Sequence, residues 1–113
     1  MNTTRDILVI GGMNLDILGT AHSPFQAGDS LPGSILRSPG GVARNIAALL
    51  RNQGARVELI CPLGNDDAAQ LLSDSCSRLG IGLSHALQTE APTPTYLAIH
   101  DVAGDMVCAI NDM

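Results

Sequence analysis

Aromatic side chains are nearly missing from this sequence, which has one Tyr, one Phe and no Trp in 113 residues. Platforms on which nucleic-acid bases could stack are therefore scarce. Positive charge is scarce as well: six Lys and Arg stand against eleven Asp and Glu, for a formal charge of -5. Cationic side chains supply most of the affinity for a nucleic-acid backbone, so that partner is excluded, while a small neutral or polar ligand is not. Long apolar runs are absent too. Ile7-Leu8-Val9-Ile10 follows a polar start and is far too short for a signal core or a membrane span, so no membrane partner is expected. No Cys-x-x-Cys pair occurs, and no His has ligand spacing to a Cys. Cys61, Cys76 and Cys108 are odd in number, widely spaced and set among apolar neighbours. They read as buried free thiols in a reducing cytoplasm, not as metal ligands or a disulfide.

What is present suits one compact α/β domain. Ile7-Leu8-Val9-Ile10 ends in Gly11-Gly12 and reads as a buried strand covered on both faces, as in a parallel sheet. Ligands of open α/β sheets gather outside the carboxyl ends of such strands, where Asn14 and Asp16 fall. Two residues apart in extended chain, these side chains point the same way. The alternative is an Asx-type turn in which both bond only their own backbone. The glycines do not fit G-x-G-x-x-G, which sets a dinucleotide fingerprint aside.

Pro39-Gly40-Gly41-Val42-Ala43-Arg44-Asn45 opens an amphipathic helix running to about Asn52, with Gly54 as its C-terminal cap. Val42, Ile46, Leu49 and Leu50 form an apolar stripe for its core side. Arg44 and Asn45 lie in the first turn, whose free N–H groups favour oxygen-rich ligands, and the glycines admit a ligand close to the backbone. An ordinary capped helix after a turn fits this stretch equally well. Residues 17–21 and 34–37 are short strand candidates on either side of a Pro/Gly-rich loop, and residues 57–61 form the next strand of a βαβ-type unit. Asn65, Asp66 and Asp67 precede a second helix, where the acidic pair suits N-capping and the dipole better than catalysis. Ala68, Leu72, Cys76 and Leu79 are spaced to face the core, and Gly80 ends the helix. Residues 83–87 form a further strand candidate. Residues 95–101 and 106–111 make a β-hairpin, with Tyr96, Ala98 and His100 on one face and Leu97 and Ile99 on the other.

Three segments together, Gly11-Gly12-Met13-Asn14-Leu15-Asp16, Gly40-Gly41-Val42-Ala43-Arg44-Asn45-Ile46-Ala47 and Gly64-Asn65-Asp66, resemble in order and spacing the N-terminal part of the PfkB, or ribokinase-like, family of carbohydrate and nucleoside kinases. The resemblance covers essentially the whole chain. It implies part of a Rossmann-like α/β sandwich carrying a small β-sheet lid, with lid strands at about residues 17–37 and 95–111. It also implies a substrate-binding set of Asn14, Asp16, Gly40, Gly41 and Asn45 that holds the hydroxyls of a ribosyl compound. The substrate expected is first a C-nucleoside and then another sugar or nucleoside, with a homodimer formed through the lid and ATP and Mg²⁺ used by the full-length enzyme. The chain departs from the family in having Ala69 where a glycine is usual. The family's downstream Gly-Ala-Gly-Asp motif, which carries the catalytic base, has no equivalent in these residues, and neither has the ATP site. The chain is therefore expected to be the substrate-binding front part of such a kinase, inactive alone, or else a non-catalytic binding or assembly module derived from one.

Overall fold

The computed structural model describes residues 6–113. In chain order the elements are β1 (Asp6–Ile10), β2 (Asn14–Ala21), β3 (Gly33–Gly40), α1 (Val42–Asn52), β4 (Arg56–Ile60), β5 (Pro62–Leu63), α2 (Asp67–Leu79), β6 (Leu87–Gln88), β7 (Thr95–His100) and β8 (Met106–Asp112). β1 lies parallel to β4, with Ile7 opposite Val57 and Val9 opposite Leu59. Two antiparallel strands, β2 and β3, interrupt the path from β1 to α1. The interrupted βαβ unit expected from the sequence is thus present.

The core forms where α1 and α2 cover one face of β1 and β4. Met13, Leu59, Leu72, Cys61 and Cys76 are fully enclosed there. Each large side chain so buried contributes about 1.5–3 kcal/mol. Burial pushes the Cys61 thiol up to about 11, helped by the neighbouring Cys76, and burial raises Cys76 as well. Both are therefore inert thiols at neutral pH. Cys108 does not match the expectation of burial: it lies exposed on β8.

Three further expectations about the core are corrected. Val42 and Leu49 are 77% and 59% exposed, Ile46 is exposed as well, and of the expected stripe only Leu50 packs against the core. The inner face of α1 is instead Ala43 and Ala47, because the backbone beneath comes too close for anything larger. A Cβ on Gly11 would stand 2.7 Å from Ala43 Cβ. Likewise β1 is covered on one face only, since Leu8 and Ile10 on the other face are exposed. On α2, Ala69, Leu72, Ser75 and Cys76 are buried while Leu79 lies outside. The strand expected at residues 83–87 is reduced to a bridge between Gly82 and Glu58 and to the two-residue β6.

A second sheet stands beside this layer, with strand order β3-β2-β7-β8. β2 pairs antiparallel with β3 from Asn14–Gly40 to Ala21–Gly33, and parallel with β7 from Leu15–Thr95 to Thr20–His100. β7 returns through residues 101–105 into β8, with a bulge opposite Ile99 and His100. The carboxylate of Asp101 organises the turn by accepting the N–H groups of Ala103 and Asp105 at 3.0 and 2.9 Å. The sheet makes the molecule long, not compact. Its radius of gyration is 16.7 Å, against about 13 Å for a compact chain of this length.

α2 starts at Asp66, whose side chain caps the helix by accepting from the Ala69 N–H at 2.9 Å, and it ends at Gly80 in the left-handed conformation. The same carboxylate holds the approach to β7. Thr93 Oγ1 donates to Asp66 Oδ1 at 2.6 Å and the Thr93 N–H donates to Oδ2 at 2.9 Å, while the hydroxyl oxygen accepts the Gly64 N–H at 2.9 Å. These bonds, those from Thr93 foremost, hold the Asp66 carboxyl below its ordinary value. The stability they confer is complete above the unfolded Asp value and is lost as the pH falls through the lowered folded value. Thr93→Val leaves the buried Gly64 N–H without a partner and should cost about 1–3 kcal/mol, while the Asp66 carboxylate loses the hydroxyl and keeps its two backbone N–H donors. It should also flatten the acid limb of the stability profile. Urea unfolding from pH 7 down to pH 3 measures both, and an unchanged midpoint would remove the clasp from this account.

Candidate functional site

Glycines bring two pieces of backbone together at the carboxyl end of β1. Gly12 carbonyl oxygen accepts the Arg44 N–H at 3.3 Å, so the segment leaving β1 runs beneath the first turn of α1. Gly41, the N-cap of α1, has φ 100° and ψ 140°, a backbone that side chains with a Cβ rarely adopt. A Cβ there would also meet the Gly12 oxygen at 2.6 Å, Met13 Cα at 2.9 Å and Asn14 Oδ1 at 3.1 Å. Close contact therefore sets the entry angle of α1. No side chain caps this helix and no acidic residue lies in its first turn, so its positive end faces the opening residues of β2 without neutralisation by its own sequence.

Asn14 and Asp16 do point the same way, as their spacing requires. Asn14 Nδ2 donates to Asp16 Oδ1 at 2.6 Å, and the Asn14 side chain is buried. They form a side-chain pair within a regular strand, which sets the Asx turn aside. Asp16 lies over Gly40, where an added Cβ would collide with its carboxylate. Asn14, Asp16, Gly40 and Gly41 thus form one contiguous cluster. Asn45 is placed differently: it is exposed one turn into α1, its N–H bonds the Gly41 oxygen at 2.9 Å, and its Oδ1 accepts from Arg44 Nη1 at 3.1 Å. Arg44 Nε is the one buried side-chain donor without a partner among the described residues.

The sheet extends this cluster in a way the sequence analysis did not anticipate. Asp16 is opposite Ser38 on β3 and opposite Tyr96 on β7, and Tyr96 is opposite Asn111 on β8. Paired residues project to one face, so Ser38, Asp16, Tyr96 and Asn111 form a polar row across all four strands. The signal was the period-2 alternation of β7 and β8; what was missing was the parallel pairing of β2 with β7, which sets their register.

A carboxylate, a buried amide and an uncapped helix start, gathered at a strand end with backbone close by, can bind a polyol. The carboxylate accepts hydroxyl protons, while the amide and the helix N–H groups donate to hydroxyl oxygens. Fold and site together present an α/β layer whose strand-end cluster of hydrogen-bonding groups lies beside a four-stranded sheet. The profile of the pfkB family carbohydrate kinases matches residues 4–113, and the chain belongs to that family. It is 36% identical to the pseudouridine kinase of Escherichia coli strain K12 over 108 residues, which covers 95% of this chain and 34% of that enzyme. It is 38% identical to an uncharacterized sugar kinase of the same organism, over 93% of this chain and 29% of that protein. Among solved structures, a carbohydrate kinase from Agrobacterium tumefaciens superposes with a TM-score of 0.90 at 30% identity, over 96% of this chain and 36% of that one. The chain spans about a third of the length of the relatives it matches.

The phosphates of the nucleotide that the family implies do not fit the cluster at the start of α1. The glycine-rich turn before α1 is overlaid by the Asp16 carboxylate, whose charge opposes phosphate and favours hydroxyl. Among the described residues no group of three His, Cys, Asp or Glu side chains could hold a metal ion. No helix among them is long and apolar enough to cross a membrane.

Gly41→Ala tests the contact on which the cluster depends. Backbone strain at a positive φ costs on the order of 1–3 kcal/mol, and the encounter with the Gly12 carbonyl adds to it. Chemical denaturation should show a loss at the upper end of that range. A variant as stable as the parent would mean that the turn relaxes freely.

Proposed function

We propose that this chain is the substrate-binding part of an ATP-dependent kinase acting on a ribosyl compound, and that the compound is pseudouridine, converted to pseudouridine 5′-phosphate. The observation that carries this reading is the Asn14–Asp16 pair set against the glycine turn of α1. In it Asp16 accepts two neighbouring ribosyl hydroxyls, Asn14 fixes the carboxylate, the bare backbone of Gly40 and Gly41 admits the sugar, and Asn45 donates from the helix through Nδ2, which its bond with Arg44 leaves unused. The likeness to a pseudouridine kinase supports the nucleoside, and the likeness to a sugar kinase at similar identity favours a second reading, a kinase for another sugar or nucleoside.

Phosphoryl transfer itself belongs to the complete enzyme, a cytoplasmic protein in this reading. It requires a positioned base and a held nucleotide, and the described residues have other tasks. Asp66 caps and clasps, Asp101 shapes the hairpin, and Asp16 faces the sugar. The 113 residues alone are then a binding unit without turnover. The second face of the four-stranded sheet carries Ile17, Ile35, Leu97, Ile99 and Ile110, several of them exposed. An apolar patch of that kind marks an association surface, and it supports a homodimer made through this sheet.

Calorimetry with pseudouridine and ribose, beside a coupled ADP-release assay, tests the proposal. A charge-assisted hydrogen bond is worth about 1.5–3 kcal/mol, so Asp16→Ala should weaken binding of both compounds roughly 10- to 150-fold. Equal affinity in parent and variant would sink the site assignment. Substrate-dependent ADP release by the 113-residue chain would refute its role as a binding unit only.

A further inference from the structure

Beyond the sugar, the geometry points to a place for the base, and we propose that Asn111 reads the edge of the substrate's nucleobase and so selects a nucleoside over a free pentose. The inference rests on the ribosyl reading of Asp16. Asp16, Tyr96 and Asn111 are successive members of one cross-strand row, on β2, β7 and β8. Neighbouring strands are spaced about 4.8 Å apart, so Asn111 stands about 9.6 Å from Asp16 across the sheet. That is the reach of a nucleoside from its ribosyl hydroxyls to the far edge of its base.

Between these two polar positions the surface is made for a flat ring. Tyr96 and Met106 lean towards each other from opposite ends of the hairpin, the phenol oxygen lying 3.8 Å from Met106 Sδ. In the ladder they flank the paired Ala98 and Ala109, whose side chains are too short to fill the space, and Ala98 is buried. An aromatic face bordered by a thioether is a stacking surface, and Tyr96 is the only Tyr of the chain. Beside it, Asn111 is exposed on an edge strand. An amide carries a donor next to an acceptor, the complement of the adjoining N–H and C=O of a pyrimidine imide. Serine, methionine or a second carboxylate at this position would lack that pairing. A free pentose bound at Asp16 would end short of Asn111.

The experiment is calorimetric titration of the 113-residue chain and its Asn111→Ala and Asn111→Asp variants with pseudouridine and with ribose, run beside Asp16→Ala. An amide paired in bidentate fashion with a base edge discriminates by roughly 10- to 100-fold. Both Asn111 variants should therefore lose about that factor for pseudouridine and keep the parent's affinity for ribose, with circular dichroism unchanged. Asn111→Asp keeps the shape and replaces the donor by an acceptor, so a loss of affinity in this variant reports the hydrogen bond and not the packing. Equal losses for ribose and pseudouridine, or no loss for either, overturn the assignment of Asn111 while Asp16→Ala still weakens both and the sugar site stands. If neither compound binds, or Asp16→Ala changes nothing, the ribosyl reading fails and takes this inference with it.

Discussion

The backbone of Gly11 and Gly12 lies against the first turn of α1 with no room for a Cβ at Gly11 or Gly41. Everything chemical in the chain depends on that contact. It aims the start of the helix at the first residues of β2, and it forces alanine onto the inner face of α1, where a larger residue would lift the helix away. Methyl groups at 43 and 47 bury little area, so the helix is held as much by its two ends as by its face. A site built this way has its geometry fixed by close backbone packing, which is stiffer than side-chain packing.

The second constraint is the link between the two sheets. One carboxylate, Asp66, serves both as the cap of α2 and as the acceptor for Thr93. Because Thr93 lies just ahead of β7, the position of the four-stranded sheet is referred to the N-terminus of a helix in the other layer. The polar row from Ser38 to Asn111 is therefore held at both sides, by the glycine contact through β2 and by the clasp through β7. Acid that weakens the clasp loosens one side and leaves the other in place.

Much of this was legible in the residues. Gly80 ends α2 and Asp66 starts it, Gly54 follows one residue after the Gln53 cap of α1, Asn14 and Asp16 share a face, and the hairpin falls where the alternation of β7 and β8 puts it. Such features are local, and local chemistry decides them. Apart from the strand expected at residues 83–87, the failures of the sequence reading are of one kind: Val42, Ile46 and Leu49, the outer face of β1, Leu79 and Cys108 were given to a core that does not cover them. Periodicity shows that a face is apolar but not what lies against it. The Thr93 clasp was hidden for a different reason, since Thr-Pro alternation around residues 92–95 shows only extended backbone and gives no sign of a distant partner. In the site, the glycine-cradled pair was readable, whereas the row through Tyr96 and Asn111 needed a strand pairing that no short-range pattern encodes.

The parallel pairing of β2 with β7 also has a kinetic side. Leu15 finds its partner at Thr95, eighty residues later, and Asp16 acquires its neighbour on that side only then. Loop-closure entropy must be met before such a pairing returns anything, so the α/β layer closes early and the four-stranded sheet late. During synthesis Asn14 and Asp16 emerge well before the residues that finish their surroundings, Tyr96 and its neighbours on β7 and β8. A destabilising change in β7 or β8 would then act less on whether the core folds than on how long the unfinished edge of β2 stays open to pairing with another chain.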